Sequence, residues 1–281
     1  MQGVDCHLHL SRWWPDLAVN SYGPAVDYSV RGLLRELDGA GVGVGLVIQL
    51  HQAPGAEEAL AEGRQLTEES QGRLRPVVTV DPTKGPAVVD ATLGRWEKEA
   101  GIAAVKLFPG YLPFYPHDAR LGPVYEFAHR RGVPVMIHQG DTMDRGGLVK
   151  YARPIEVDEV AVRYPDVRFV LCHFGNPWME EAAELVYKNE NVYADTSGLL
   201  ASPAAHYFDR MVERCRRRLL NSIVTVGSPD RILYGSDWPL ESIATAVGLV
   251  AGLDLPDADR AAILGGNARR LFRLDRGPSG R

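Results

Sequence analysis

The sequence predicts a (β/α)8 barrel, the TIM-barrel class of α/β fold. Short runs rich in Val and Ile recur eight times along the 281 residues, and several are nearly continuous in apolar residues, as parallel strands covered on both faces are. Helical patterns separate the runs, and a spacing of roughly 35 residues per unit is that of a barrel of this class. The predicted strands span residues 2–7, 42–49, 74–80, 103–108, 133–138, 168–173, 191–196 and 231–236.

Helix signals mark the segments between the predicted strands. Residues 29–39 show an apolar three-four pattern that ends at glycines. Residues 118–132 have Pro123 near the start and Gly132 at the end, where these residue types are favoured. The other predicted helices span 55–72, 86–101, 154–164, 177–189, 203–220 and 256–272. We therefore expect one catalytic domain over residues 1–275, with 276–281 as a loose tail.

Composition restricts the classes of protein to which the chain can belong. Hydrophobic content of 45% and charged content of 24% are ordinary for a globular protein. A formal net charge of −5, without a long run of one sign, gives nucleic-acid binding no electrostatic support. No apolar run reaches the ~18 residues that a membrane span needs. The first strand begins almost at Met1, so we expect no signal peptide and a cytoplasmic protein.

The chain has three cysteines, an odd and small number, which argues against a disulfide framework. Cys6 and Cys172 each stand beside a histidine on a predicted strand. Strand alternation places neighbouring side chains on opposite faces. We therefore expect these two thiols to point outward, toward the helices, as buried apolar packing.

Potential metal ligands stand where four of the predicted strands end. His7 and His9 lie at the end of the first strand, His138 the fifth, His173 the sixth and Asp237 the eighth. Residues i and i+2 of a strand face the same side, so His7 and His9 can bind one ion. Active sites of barrels lie at these strand ends, and a catalytic metal takes three or four protein ligands beside a water. His138 and Asp237 complete the predicted site; the alternative is that the histidines are hydrogen-bonded core residues.

With these motifs in place, the chain resembles the amidohydrolase superfamily. Within it, the resemblance is to the branch of aminocarboxymuconate-semialdehyde decarboxylase and the dicarboxylate lactonases, over nearly the whole chain. The segments that carry it are 4–9 (VDCHLH), 104–110 (AVKLFPG), 134–138 (PVMIH), 172–175 (CHFG), 234–239 (YGSDWP) and 263–272 (ILGGNARRLF).

The resemblance implies a role for each ligand-type residue. His7, His9, His138 and Asp237 match the metal ligands, and His173 matches a histidine near the metal-bound water or the substrate. The implied cofactor is one divalent ion, Zn²⁺ in preference to Mn²⁺. In other parts of the superfamily a carboxylated fourth-strand lysine bridges two metals.

Further side chains are predicted to contact a small-molecule substrate. Lys106 lies on the fourth strand, where neutralising a substrate carboxylate or pairing with an acidic side chain is preferred to bridging two metals. Arg12 and Trp13 follow the first strand, Tyr111 the fourth and Trp178 the sixth. An arginine beside aromatic rings suits a planar carboxylate. Ordinary loop packing is the alternative for each of these four.

These residues favour metal-dependent hydrolysis of a lactone, ester or amide-type bond. A divalent ion lowers the pKa of bound water toward ~7, and we expect Asp237 to take the proton and His173 to stabilise the intermediate. The second hypothesis is non-oxidative decarboxylation of an unsaturated or aromatic carboxylic acid, with Arg12 or Lys106 gripping the carboxylate. A barrel that has lost catalysis and serves as a binding protein is the third. Whether the protein is a homodimer stays open.

Overall fold

Eight parallel strands form one sheet whose order follows the chain. The computed structural model describes residues 2–15, 17, 26–49, 55–98, 102–201 and 207–274. All eight predicted strands are present. The first is shifted by one residue along the chain, and the other seven are shorter than predicted at one or both ends because the chain turns into a loop there. They are β1 (Gly3–Leu8), β2 (Val42–Ile48), β3 (Leu74–Thr79), β4 (Ala104–Leu107), β5 (Val135–Ile137), β6 (Phe169–Leu171), β7 (Val192–Asp195) and β8 (Ile232–Leu233).

The first strand and the segment that includes the last strand close the sheet into a barrel. The Cys6 N–H donates to the Tyr234 carbonyl at 3.0 Å, and the His9 N–H donates to the Trp238 carbonyl at 2.7 Å. In return, the Asp237 N–H donates to the His7 carbonyl at 2.8 Å. The predicted (β/α)8 barrel is thus confirmed.

Helices cover the outside of the strands, most of them at positions close to those predicted; the helix over residues 243–251 was not predicted. They are α1 (Val30–Gly39), α2 (Ala56–Glu69), α3 (Pro86–Trp96), α4 (Gly122–Arg131), α5 (Asp158–Arg163), α6 (Met179–Lys188), α7 (Phe208–Val226), α8 (Ile243–Ala251), α9 (Asp257–Ala261) and α10 (Asn267–Leu271). The predicted end of α7 at residue 220 is wrong, because the buried face continues to Val226 and the helix stops at left-handed Gly227. The last predicted helix is three pieces, with a π turn over Ala262–Gly266 between α9 and α10.

Buried apolar side chains form two clusters, one between the strands and the helices and one inside the barrel. Strand residues such as Val105 and Ile137 pack against helix residues in one cluster, while Met136 and Val170 belong to the other. Cys6 and Cys172 belong to this second, inner cluster, so the expectation that they face the helices is wrong. The register between β1 and β2 shifts between residues 5 and 8, which breaks the strict alternation on which that expectation depended.

The described helices include none that combines the length and apolar character needed to cross a membrane. The predicted tail, 276–281, lies outside the described residues. The division into one domain over residues 1–275 stays a prediction.

Candidate metal centre

The barrel brings together the predicted ligand residues that end its strands. His9 Nε2 lies 3.0 Å and His7 Nε2 lies 3.4 Å from Asp237 Oδ1. Ligand atoms of His7, His173 and Asp237 all lie within 4.8 Å of one another. His173 and Asp237 reach this position through left-handed backbone, at φ 59° and 67°, a conformation that non-glycine residues adopt at a cost. The loops after β6 and β8 are therefore shaped to present these two side chains.

Asp195, at the end of β7, holds this group in place. Its Oδ2 lies 3.0 Å from His7 Nδ1. Its Oδ1 accepts the His173 N–H at 2.9 Å, the Ser197 N–H at 3.1 Å and the Ser197 hydroxyl. One carboxylate therefore contacts both the side chain of His7, a predicted ligand, and the backbone of His173. When His7 carries its proton on Nδ1, the lone pair of Nε2 is free to bind an ion.

His138 lies beside the group but is held by other partners. Its Nδ1 is 3.1 Å from His173 Nε2, and its Nε2 is 2.9 Å from the Asp141 carbonyl. His138 is therefore next to the His7–His173–Asp237 group rather than inside it. The assignment of His138 as a ligand, with His173 on the substrate side, stays a prediction.

Burial sets the protonation of these histidines. It lowers the pKa of His7 to about 3, with further lowering by the Lys106 charge. It also lowers the pKa of His138 well below its usual value, aided by His173 and Lys106, and lowers the pKa of His173. Each is then neutral at pH 7, the form that binds metal. Burial alone would raise the pKa of Asp237, but the adjacent His9 and the other histidines hold it well below its ordinary value.

The residues present fit a divalent cation. Within the described part of the chain, His7 Nε2 and Asp237 Oδ1, which face each other, are both buried without a hydrogen-bond partner. Such atoms are rare unless water, an ion or a ligand meets them. Imidazole nitrogen with carboxylate oxygen is the donor set of Zn²⁺ and Mn²⁺ sites.

A cavity of about 410 Å³ opens onto these ligands. Its wall includes the aromatic side chains Trp14, Phe108 and Tyr111. Apolar and small residues add to it, namely Leu17, Met143, Gly198, Ala201 and Leu240. Gln139, Asn176, Asp141 and Asp144 are its polar members beyond the histidines and Asp237. Neither a lysine nor an arginine belongs to the lining formed by the described residues.

Tyr111 lines the cavity, as its predicted substrate role requires, but Arg12 and Trp13 do not. The Arg12 side chain is 51% exposed, and its backbone N–H donates to Glu62 Oε1 at 2.8 Å. Its guanidinium lies 5.0 Å from the Trp13 ring. The loop after β1 is thus anchored sideways on α2, which directs both residues away from the ligands.

Trp178 and Lys106 also lie off the cavity wall. The Arg153 guanidinium covers the Trp178 ring at 4.9 Å. Lys106 is completely buried inside the barrel, with Nζ 2.9 Å from Cys172 Sγ and 5.0 Å from the Phe108 ring. Among the described residues the side-chain partner of Lys106 is therefore a thiol, whereas the sequence led us to expect a substrate carboxylate or an acidic side chain.

Sequence reasoning gave no role to several residues that the structure places at the centre. Ser197 Oγ lies 2.9 Å from both His7 Nδ1 and His173 Nδ1. A Cβ on Gly198 would meet Asp237 Oδ2 at 2.8 Å. Gln139 lines the cavity directly after His138. Their position after strand ends was the available signal, but small and neutral residues carry no chemical pattern that would single them out.

Comparisons with known proteins find one matching family model and several relatives. A family model described as Amidohydrolase matches residues 4–274. A gamma-resorcylate decarboxylase from Polaromonas sp. (strain JS666) is 24% identical over 241 residues, 69% of this chain and 69% of the relative. Three further relatives of that name match over only 55%, 55% and 58% of their own length.

A relative of another kind and a solved structure add to these. An L-fucono-1,5-lactonase from Burkholderia ambifaria is 31% identical over 140 residues, which is 43% of this chain and 46% of the relative. The structure of a dihydroxybenzoic acid decarboxylase from Polaromonas sp. JS666, with bound manganese and the inhibitor 2-nitroresorcinol, has a TM-score of 0.72. It is 19% identical and covers 98% of both chains, a likeness of fold.

Proposed function

This chain belongs to the amidohydrolase family, and we propose that it is a metal-dependent decarboxylase of an aromatic monocarboxylate. The predicted class, an enzyme of the amidohydrolase superfamily, is confirmed. Within that class the sequence favoured hydrolysis. The relatives favour decarboxylation, because four curated matches are gamma-resorcylate decarboxylases and one is a lactonase.

The composition of the cavity wall supports a substrate with one negative charge. Trp14, Phe108 and Tyr111 supply aromatic surface that suits a planar ring. No lysine or arginine belongs to the wall formed by the described residues. Residues 16, 18–25, 50–54, 99–101 and 202–206, which the structure does not describe, include neither type. A second carboxylate would face Asp141 or Asp144 instead of a cation. A dicarboxylic lactone is thus a poorer fit than an aromatic monocarboxylate.

The ion and the chain divide the work in this proposal. His7, His9, His138 and Asp237 would hold one divalent ion, either zinc as the sequence led us to expect or manganese as in the related structure. When bound, the ion supplies positive charge for the substrate carboxylate and for the electrons left on the ring.

Loss of carbon dioxide leaves an electron pair on a ring carbon, and one proton must reach that carbon. His173 and Asp237 line the cavity and can carry this proton. The 3.1 Å contact between His173 Nε2 and His138 Nδ1 would hold the His173 ring in position for this transfer.

A panel assay tests the proposal. The protein, stripped of metal and reloaded with Mn²⁺ or Zn²⁺, is incubated with 2,6-dihydroxybenzoate, 5-carboxyvanillate and a set of sugar lactones. From 2,6-dihydroxybenzoate we expect carbon dioxide and resorcinol, with one deuterium on the product ring in D₂O. 5-Carboxyvanillate, which carries two carboxylates, should react poorly. The Asp237→Asn protein, loaded with the same metal, should be nearly inactive.

Hydrolysis of a lactone is the second candidate, supported by the 31% identity to the lactonase. Lactone opening without release of carbon dioxide from any aromatic acid would replace the proposal by this candidate. Wild-type turnover by Asp237→Asn would remove Asp237 from the mechanism in either case.

A further inference from the structure

Gln139 is a buried residue of the cavity wall whose side-chain amide is unpartnered. It is 0% exposed and lies directly after His138. Neither Oε1 nor Nε2 has a hydrogen-bond partner among the residues that the structure describes. A buried amide left unpaired is costly, so nearly all such groups in proteins meet a partner, water or a ligand. The free amide therefore points to a ligand group that meets it from the cavity.

Two other polar side chains of the wall, those of Tyr111 and Asn176, already contact the protein. The Tyr111 hydroxyl accepts the Met143 N–H at 3.0 Å. Asn176 Oδ1 accepts from the Arg218 guanidinium at 2.8 Å. Gln139 differs from both in that its donor and its acceptor are each uncommitted.

We infer that Gln139 is a specificity-determining residue that binds a neutral hydroxyl group on the aromatic ring of the substrate. A hydroxyl both donates and accepts, which matches an amide that offers one oxygen and one NH₂. A carboxylate only accepts, so it could pair with Nε2 but would leave Oε1 without a donor. This inference rests on the proposed function, since it names the group that distinguishes one aromatic monocarboxylate from another.

The test compares substrates that differ by one hydroxyl. We expect the wild-type protein to prefer 2,6-dihydroxybenzoate over 2-hydroxybenzoate in kcat/KM. Gln139→Leu keeps the side chain's approximate size but removes both polar atoms. It should lower kcat/KM for the dihydroxylated acid by about 5- to 100-fold, the range for a buried polar group that loses its partner. The kcat/KM for the monohydroxylated acid should change little. A variant that discriminates as the wild type does would overturn the inference.

Gln49→Leu is the matched control. Gln49 is a buried glutamine at the end of β2 that donates to the Ala59 carbonyl and does not belong to the cavity wall. Its replacement should lower thermal stability without changing the preference between the two acids. Metal content measured on both variants shows whether Gln139→Leu acts on the substrate alone, because loss of metal would also overturn the inference.

Binding of 2-nitroresorcinol and 2-nitrophenol, followed by calorimetry, separates this inference from the proposed function. If the wild type binds the resorcinol more tightly, and Gln139→Leu removes that difference, Gln139 has its inferred role even where no carbon dioxide is released. Equal binding of the two probes by the wild type, or no binding of either, would refute it.

Discussion

Replacing Asp195 by asparagine should weaken metal binding while leaving the barrel intact. Asp195 Oδ1 accepts three hydrogen bonds, from the His173 N–H, the Ser197 N–H and the Ser197 hydroxyl. The amide oxygen of asparagine can keep all three. Among the described residues Oδ2 has a single partner, His7 Nδ1 at 3.0 Å, and an NH₂ group at that position would face the imidazole N–H. The substitution therefore reverses one contact out of four.

The affected contact decides which nitrogen of His7 carries the proton. With a donor in place of Oδ2, the contact between residue 195 and His7 Nδ1 stays a hydrogen bond only if the His7 proton moves to Nε2, the atom that lies 3.4 Å from Asp237 Oδ1. That tautomer has no lone pair for the ion. Loss of such an orienting partner typically weakens metal binding by about 10- to 100-fold, which is roughly 1.4–2.7 kcal/mol.

Competition with a chromogenic chelator for Zn²⁺ and Mn²⁺ measures this loss directly. Asp158→Asn is the control, because Asp158 accepts from Lys188 and Asn189 far from the cavity wall, and it should leave the metal affinity unchanged. Nitrogen NMR of the imidazoles reports the tautomer of His7. A metal affinity for Asp195→Asn equal to that of the wild type would show that Asp195 does not orient His7.

Three further perturbations have outcomes that follow from the structure. Gly198→Ala should lose metal and activity, because its methyl group would lie 2.8 Å from Asp237 Oδ2. Gly227→Ala, also at positive φ but with open space around it, should lose only about 1 kcal/mol of stability. Equal metal affinities of the two variants in chelator competition would contradict this prediction. Burial raises the pKa of Glu241 to about 8, so the folded protein is destabilised as pH rises and this carboxyl loses its proton. In urea unfolding between pH 5 and 8, Glu241→Gln should lose less stability than the wild type by roughly 4 kcal/mol. An equal loss of stability in both proteins would refute the raised pKa. Arg12→Ala should leave KM for aromatic acids within about twofold, because a residue off the cavity wall loses no substrate contact, and a large rise in KM would restore its predicted role.

The sequence predicted those features that depend on periodicity and on the ends of strands. The eight apolar runs located the barrel, and the barrel rule placed His7, His138 and Asp237 near one mouth. The direction of individual side chains was harder to predict from the sequence, because it depends on places where a strand departs from the regular alternation of its side chains. The register shift near Cys6 and the left-handed turn at His173 are such departures, and tertiary contacts decide them.

Loop direction was equally beyond sequence reasoning. Arg12 follows a ligand-bearing strand, yet the contact of its backbone with Glu62, fifty residues further along the chain, holds it away from the cavity. Gln139 was the reverse case, a residue without a recognisable motif that belongs to the wall. Both positions follow from contacts between distant parts of the chain, which periodicity does not record.

The closure of the barrel through His7, His9, Asp237 and Trp238 has a consequence for biosynthesis. The hydrogen bonds that join the two ends of the sheet run through these residues, so the seam and the ligand cluster form in one event. A ribosome delivers the first strand more than 220 residues before Asp237. During that interval the nascent chain carries His7 and His9 without their partners, and metal capture must wait for the last strand.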